Sequence, residues 1–139
     1  MTVMSRESEA RMVKWAKDLR ERKEPFFRPD VVESKVRIQF PIPLVAKVLE
    51  ILSEYHAFSD QHSARVRLAV LKLSGGDFKK VRQEIDAAKL DFREVLLPAE
   101  EPGILRMRAG AWNELSDDEK EKLSNEDHTQ YMDWILQKE

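Results

Sequence analysis

The sequence lacks cysteine altogether and is poor in glycine and proline, with four and six of them among 139 residues. Without thiols, a disulfide framework, a cysteine-ligated zinc site, an iron–sulfur cluster and thiol catalysis are all excluded. The scarcity of glycine and proline, beside a 42% share of hydrophobic residues, argues against a disordered or low-complexity chain. Because a domain of about 140 residues buries roughly two-thirds of its unfolded surface, we expect residues 1–139 to form a single helical domain without cross-links.

Long apolar runs are missing as well. The N-terminus carries charges at Arg6 and Glu7, and charged residues such as Lys47 and Arg67 interrupt the most apolar stretches. These stretches are far shorter than the roughly 20 apolar residues of a transmembrane helix, and the N-terminus lacks the pattern of a secretory signal. The sequence therefore predicts a cytoplasmic protein that makes no contact with a membrane.

The charge of the chain is nearly balanced, with 24 basic and 26 acidic residues, but it is unevenly distributed. Residues 1–40 carry a net charge of +3 and residues 41–93 carry +2, whereas residues 94–139 carry −7. Opposite charges attract each other within a fold or between two copies, and salt weakens the attraction. The alternative is an acidic helix surface that contacts only solvent.

Apolar residues recur at helical spacing along most of the chain, which predicts a mainly α fold, a bundle of five or six helices. Capping residues mark the boundaries: Ser59 precedes one helix, Gly75-Gly76 ends it, and Ser116 opens a capping box. Ser124 resembles the cap of a further, final helix. The predicted helices cover about residues 5–23, 44–58, 60–74 and 78–97, with two more that begin near 117 and 125.

Residues 34–40 alternate between apolar and polar side chains, which is typical of a half-buried strand. A single strand cannot satisfy its own backbone hydrogen bonds, so we expect a short β pair with residues 104–108. A helix through Val32, Val36 and Phe40 is the alternative, and Pro41 would end it at once.

The segment 78–97 shows the clearest periodicity of the chain. Its apolar side chains form a seam with alternating spacings of three and four, at Phe78, Val81, Ile85, Ala88, Phe92 and Val95. Leu90 and Leu97 lie seven residues apart on the far side of this seam. Since exposed leucines in register are unusual on a polar face, we expect the C-terminal segment or a second subunit to cover them.

The same region carries a resemblance to other proteins. Gly76-Asp77 opens the helix, the segment 88–96 reads Ala-Lys-Leu-Asp-Phe-Arg-Glu-Val-Leu, and residues 99–102 read Ala-Glu-Glu-Pro. This pattern resembles short bacterial proteins of no assigned function, with a Gly-Asp helix start and an Ala-Lys-x-Asp-aromatic-Arg-acidic-Val-Leu segment. The resemblance covers about a third of the chain. It implies a bacterial cytosolic protein and carries no activity.

Candidate catalytic residues are few. Asp91, Arg93 and Glu100 are expected to form an ion-pair cluster, either as a structural network or as the site of an enzyme of unknown class. The sequence contains no phosphate-binding glycine loop, no Gly-x-Ser-x-Gly elbow and no His-Glu-x-x-His motif. His56 and His62 are six residues apart, which points them to different faces of a helix. We therefore predict no catalytic residue, no cofactor and no metal site.

Nucleic-acid binding is the second class of function. Six basic side chains stand against Asp77 alone in the segment 65–82, namely Arg65, Arg67, Lys72, Lys79, Lys80 and Arg82. Two helices joined by a turn there would suit a DNA-reading motif, although an isoelectric point near 6.0 lacks the usual basic footprint. The prediction that ranks first is a protein-interaction or structural module. It takes a protein partner or a second copy through Leu90 and Leu97, with Asp91, Arg93 and Glu100 beside them.

Overall fold

The computed structural model describes residues 24–57, 59–107 and 109–137, and within these ranges the chain is helical with no strand. The predicted mainly α fold is confirmed, and five of the eight described helices have eleven residues or more. The helix predicted over residues 5–23 lies outside the described residues. The helices are α1 (Pro29–Gln39), α2 (Ile42–Ser53), α3 (Asp60–Ser74), α4 (Phe78–Leu90), α5 (Arg93–Glu100), α6 (Pro102–Arg106), α7 (Ala109–Glu114) and α8 (Asp117–Leu136).

The strand predicted over residues 34–40 is wrong, because this segment belongs to α1. Val32 and Val36 are buried one helical turn apart, and Phe40 is buried just beyond the helix end. The alternative helix was therefore the right interpretation of the pattern. The proposed strand partner at 104–108 is not a strand among its described residues either, since α6 covers residues 104–106. A helix satisfies its backbone hydrogen bonds without a partner, whereas a strand needs a second strand, and the described residues contain none.

Helix α3 lies at the centre of the fold. It packs against α1, α4 and α5. Ten of its fifteen residues are buried, so it is enclosed on nearly every side. A helix that is buried all round must satisfy any polar side chain internally. Among its buried polar side chains, that of Arg65 does so by bonding to a segment that is distant in the sequence.

The turn between α3 and α4 follows the sequence prediction. Gly75 ends α3 with φ +56° and Gly76 continues at φ +85°, a backbone region that favours glycine. The Asp77 carboxylate then accepts a hydrogen bond from the Lys79 amide at 2.9 Å and caps α4. Because the turn is this short, α3 and α4 pack directly on each other.

Helix α8 begins at the predicted capping box, in which Ser116 accepts from the Glu119 amide and Glu119 accepts from the Ser116 amide. The second helix start predicted at Ser124 is wrong, because α8 continues through it to Leu136. A serine inside a helix costs only a fraction of a kcal/mol. The buried side chains of Asp127 and Tyr131, one turn apart, instead hold a continuous helix against the rest of the fold.

The described helices also bear on the membrane prediction. None of them is both long enough and apolar enough to cross a bilayer.

Candidate functional site

The turn between α4 and α5 breaks the helix predicted over residues 78–97. Asp91 adopts an extended backbone, with φ −157° and ψ 110°, and ends α4. Its carboxylate accepts hydrogen bonds from the Arg93 amide at 3.0 Å and from Arg93 Nη2 at 2.9 Å. These bonds lower the pKa of the Asp91 carboxyl. An aspartate that bonds to its own neighbouring backbone competes with helix continuation, which explains the break.

The break changes the relation of the two leucines. Leu90 is the last residue of α4 and is 90% exposed, whereas Leu97 lies on α5 and is half-buried. Their seven-residue spacing therefore does not place them on one helix face. The structure keeps Leu90, Asp91 and Arg93 together at one exposed turn, which we call the Leu90 corner.

Ion pairs also line the helix on the N-terminal side of Leu90. Glu54, just after α2, accepts hydrogen bonds at 2.6 Å from Arg82 Nη2 and from Lys89 Nζ on α4. Asp86 lies 3.5 Å from Arg82 Nη1 and 3.7 Å from Lys89 Nζ. The hydrogen bond from Arg82, followed by that from Lys89, lowers the pKa of Glu54 to about 2. An exposed leucine is thus bordered by charges that are already paired.

Glu100 does not join Asp91 and Arg93. Its side chain is 1% exposed and accepts two hydrogen bonds from Arg65 of α3, at 2.9 Å from Nε and 2.7 Å from Nη2. The Arg65 guanidinium also lies over the Phe27 ring, 5.7 Å from its centroid. The predicted three-residue cluster is therefore two separate pairs: one exposed at the Leu90 corner, and one buried between α3 and α5.

Most cations of the basic segment 65–82 make contacts inside the fold. Besides Arg65 and Arg82, Arg67 donates to the carbonyl oxygens of Leu52 and Tyr55, and Lys72 donates to that of Ala99. Lys79 and Lys80 are the two that point to solvent without an ion pair among the described residues. Arg82 is exposed too but is paired with Glu54, so within the described residues the helix-turn-helix-like junction presents two cations without an ion pair, and nucleic-acid binding there stays a prediction.

His62 lies in the buried N-terminal turn of α3. The Tyr55 hydroxyl is hydrogen-bonded to His62 Nε2 at 3.0 Å, and the Phe92 ring meets the imidazole edge-on at 4.9 Å between centroids. Burial lowers the pKa of His62 below its usual 6.5, the charge of Arg65 lowers it further, and Glu100 acts in the opposite direction. His56 is exposed on the preceding loop, whereas His62 is buried.

The environment of His62 predicts a loss of stability in mild acid. Because the folded state has the lower pKa, the unfolded state binds the proton more readily, and the free energy of unfolding falls as the pH drops below about 6.5. Urea titrations between pH 7.5 and 5.5 should show this slope, and His62→Gln should flatten it. His56→Gln is the matched control and should keep the slope. An unchanged slope in His62→Gln would assign the acid sensitivity to other groups.

Among the described residues, no group of three or more His, Asp or Glu side chains is arranged to hold a metal ion. The sequence alone missed the contact of Glu54 with α4, because 28 residues separate it from Arg82 and no local spacing connects them. The sequence did contain the i,i+4 spacing of Arg82 and Asp86 and the i,i+3 spacing of Asp86 and Lys89, which predict ion pairs along α4. Comparison with protein-family models, curated proteins and solved structures finds no match to this chain.

Proposed function

We propose that this chain is a cytoplasmic protein-interaction module that contacts another protein surface through the Leu90 corner. The observation that carries the proposal is the state of Leu90, which is 90% exposed at the end of a helix whose opposite face is buried in the core. Protein interfaces commonly place an apolar anchor at their centre and polar groups at their rim. The Leu90 corner has this arrangement on a small scale.

The energetics favour a partner at this position. Burial of a leucine side chain contributes roughly 1.5–3 kcal/mol relative to its exposure to water. The neighbouring charges of Asp91 and Arg93 are already paired with each other. A partner therefore need not supply a counter-charge for an isolated ion, which is the usual cost of covering charged surface.

Photo-cross-linking in cells tests the proposal. A photoreactive amino acid at position 90 should give a discrete adduct whose mass identifies the partner. Ile42 is the matched control, because it is an apolar side chain with 87% exposure at the first residue of α2, away from the corner. The adduct at position 90 should disappear when Arg93→Glu reverses a charge of the corner. No adduct at 90, or an equal yield at 42, would overturn the proposal.

A further inference from the structure

The residues on the exposed face of α4 indicate which partner binds at the Leu90 corner. This inference rests on the proposed function. We propose that a second copy of the chain binds there, with the two α4 helices packed antiparallel about a two-fold axis. In such a contact the same surface serves both copies, so residue i of one copy meets residue j of the other, and j meets i. The surface must therefore be complementary to its own reversed image.

The outward face of α4 meets this condition. Four exposed residues follow one another along α4 at spacings of four, three and four: Lys79, Gln83, Asp86 and Leu90. This spacing places them on one helix face. The opposite face carries Val81, Ile85 and Ala88, which are buried in the core. We call the exposed set the α4 stripe.

Reversal of the α4 stripe brings unlike groups together. When the two-fold axis passes midway along the stripe, Leu90 of one copy lies opposite Lys79 of the other, whose aliphatic stem can cover an apolar side chain. Gln83 lies opposite Asp86 of the other copy and can donate an amide hydrogen bond to its carboxylate. The ammonium of Lys79 is one helical turn from the same Asp86. Each of these contacts occurs twice.

Charge favours a second copy at the α4 stripe and disfavours one at the outer face of α8. The stripe contains one cation and one anion, so two copies do not repel each other there. Helix α8 instead exposes four acidic side chains and one lysine along its outer face, at Asp118, Glu121, Lys122, Glu126 and Asp133. Two copies of that face would repel each other. The α4 stripe is thus the self-complementary face of these two.

The size of the contact sets its strength. Helix α4 has 13 residues, which corresponds to a length of about 20 Å. A crossing of two such helices buries less than the roughly 800 Å² per partner of a standard interface. We therefore expect a reversible dimer with a dissociation constant in the micromolar range or weaker, populated at high concentration.

The absence of cysteine from the chain allows a direct test. Two single-cysteine variants, Gln83→Cys and Asp86→Cys, are mixed in equal amounts and oxidised under mild conditions, and intact mass separates the three disulfide dimers. The proposed register places 83 opposite 86, so the mixed dimer should exceed its statistical share of one half. Asn125→Cys on α8, mixed with Gln83→Cys, is the matched control, and its mixed dimer should not exceed one half, because position 125 lies off the α4 stripe. Leu90→Lys, added to both stripe variants, places a cation opposite Lys79 of the other copy and should abolish the enrichment.

The two proposals fail in different ways. A statistical share for the mixed 83–86 dimer, with monomer alone in sedimentation at high micromolar concentration, overturns the self-pairing. If the photo-adduct at position 90 then has the mass of a different protein, the interaction role stands without it. If no adduct forms either, both proposals are wrong.

Discussion

Glu100→Ala should lower the free energy of unfolding by about 3–5 kcal/mol in urea titrations at neutral pH. The reason is the burial of its partner, because both side chains of the Arg65–Glu100 pair are 1% exposed and joined by two hydrogen bonds. Without the carboxylate, the Arg65 guanidinium remains in the core without its bidentate acceptor. The fold must then expose it to water or tolerate a poorly compensated charge, and either outcome opens the contact between α3 and α5.

A double variant separates the effect of the pair from the simple loss of volume. Arg65→Met combined with Glu100→Leu replaces both charges by apolar side chains, and such replacements of buried pairs are often neutral or stabilising. The double variant should therefore be far more stable than Glu100→Ala. Asp91→Ala, which breaks the exposed pair with Arg93 and the bond to the Arg93 amide, is the control and should lower the free energy of unfolding far less than Glu100→Ala does. A loss from Glu100→Ala no larger than that from Asp91→Ala would contradict the account.

The parts of the fold that the sequence predicted are those set by neighbouring residues. Ser59 bonds to the His62 amide, Gly75 adopts the left-handed conformation at a helix end, and Ser116 forms a capping box within four residues. Each of these contacts is local, so residue type and spacing determine it. The helix boundaries from 59 to 78 could therefore be predicted closely.

Two wrong predictions, the strand at 34–40 and the single helix at 78–97, have a common cause. In each case the local pattern fits two structures, and contacts outside that pattern determine which one forms. The alternation at 36, 38 and 40 fitted a strand, but a helix buries Val32 and Val36 on one face, and the part of the chain that the structure describes contains no strand to pair with. The seam of 78–97 fitted one long helix, but the Asp91 carboxylate bonded to the Arg93 amide instead. In both cases the apolar periodicity is compatible with two structures, and a nonlocal or side-chain contact stabilises one of them.

For the candidate site residues, the sequence could predict the position of Leu90 but not the ion-pair partner of Glu100. Leu90 lies off the apolar seam of α4, so its position outside the core follows from helical periodicity alone. The sequence also allowed the C-terminal segment to cover it, and among the described residues Leu90 is 90% exposed. The partner of Glu100 does not follow from periodicity, because Arg65 is 35 residues away and was grouped with the basic segment. Arg65 was assigned to a surface by composition, yet it is among the largest fully buried side chains of the fold, and the sequence carries no local signal of this burial.

The second large effect that we expect is a loss of stability when the contact between α8 and α6 is removed. The buried Asp127 carboxylate accepts hydrogen bonds from the Gly103 amide at 2.8 Å and from the Ile104 amide at 3.0 Å. Asp127→Ala removes both acceptors and leaves two partly buried donors unsatisfied, which costs about 2 kcal/mol or more. The free energy of unfolding from urea titration should fall by that amount, and Asp127→Asn, which keeps one carbonyl acceptor, should lose less.

Gly103 supplies the independent check on this attachment. A Cβ at position 103 would lie 2.6 Å from Asp127 Oδ1 and 3.1 Å from Leu123 Cδ1, so Gly103→Ala must displace the carboxylate. Helix propensity alone favours alanine over glycine by about 1 kcal/mol, so a net loss of stability in Gly103→Ala would measure the clash. The two substitutions act on one contact and should not add. In the Asp127→Ala background, Gly103→Ala should be neutral or stabilising, and a full additional loss there would show that the carboxylate is not what position 103 accommodates.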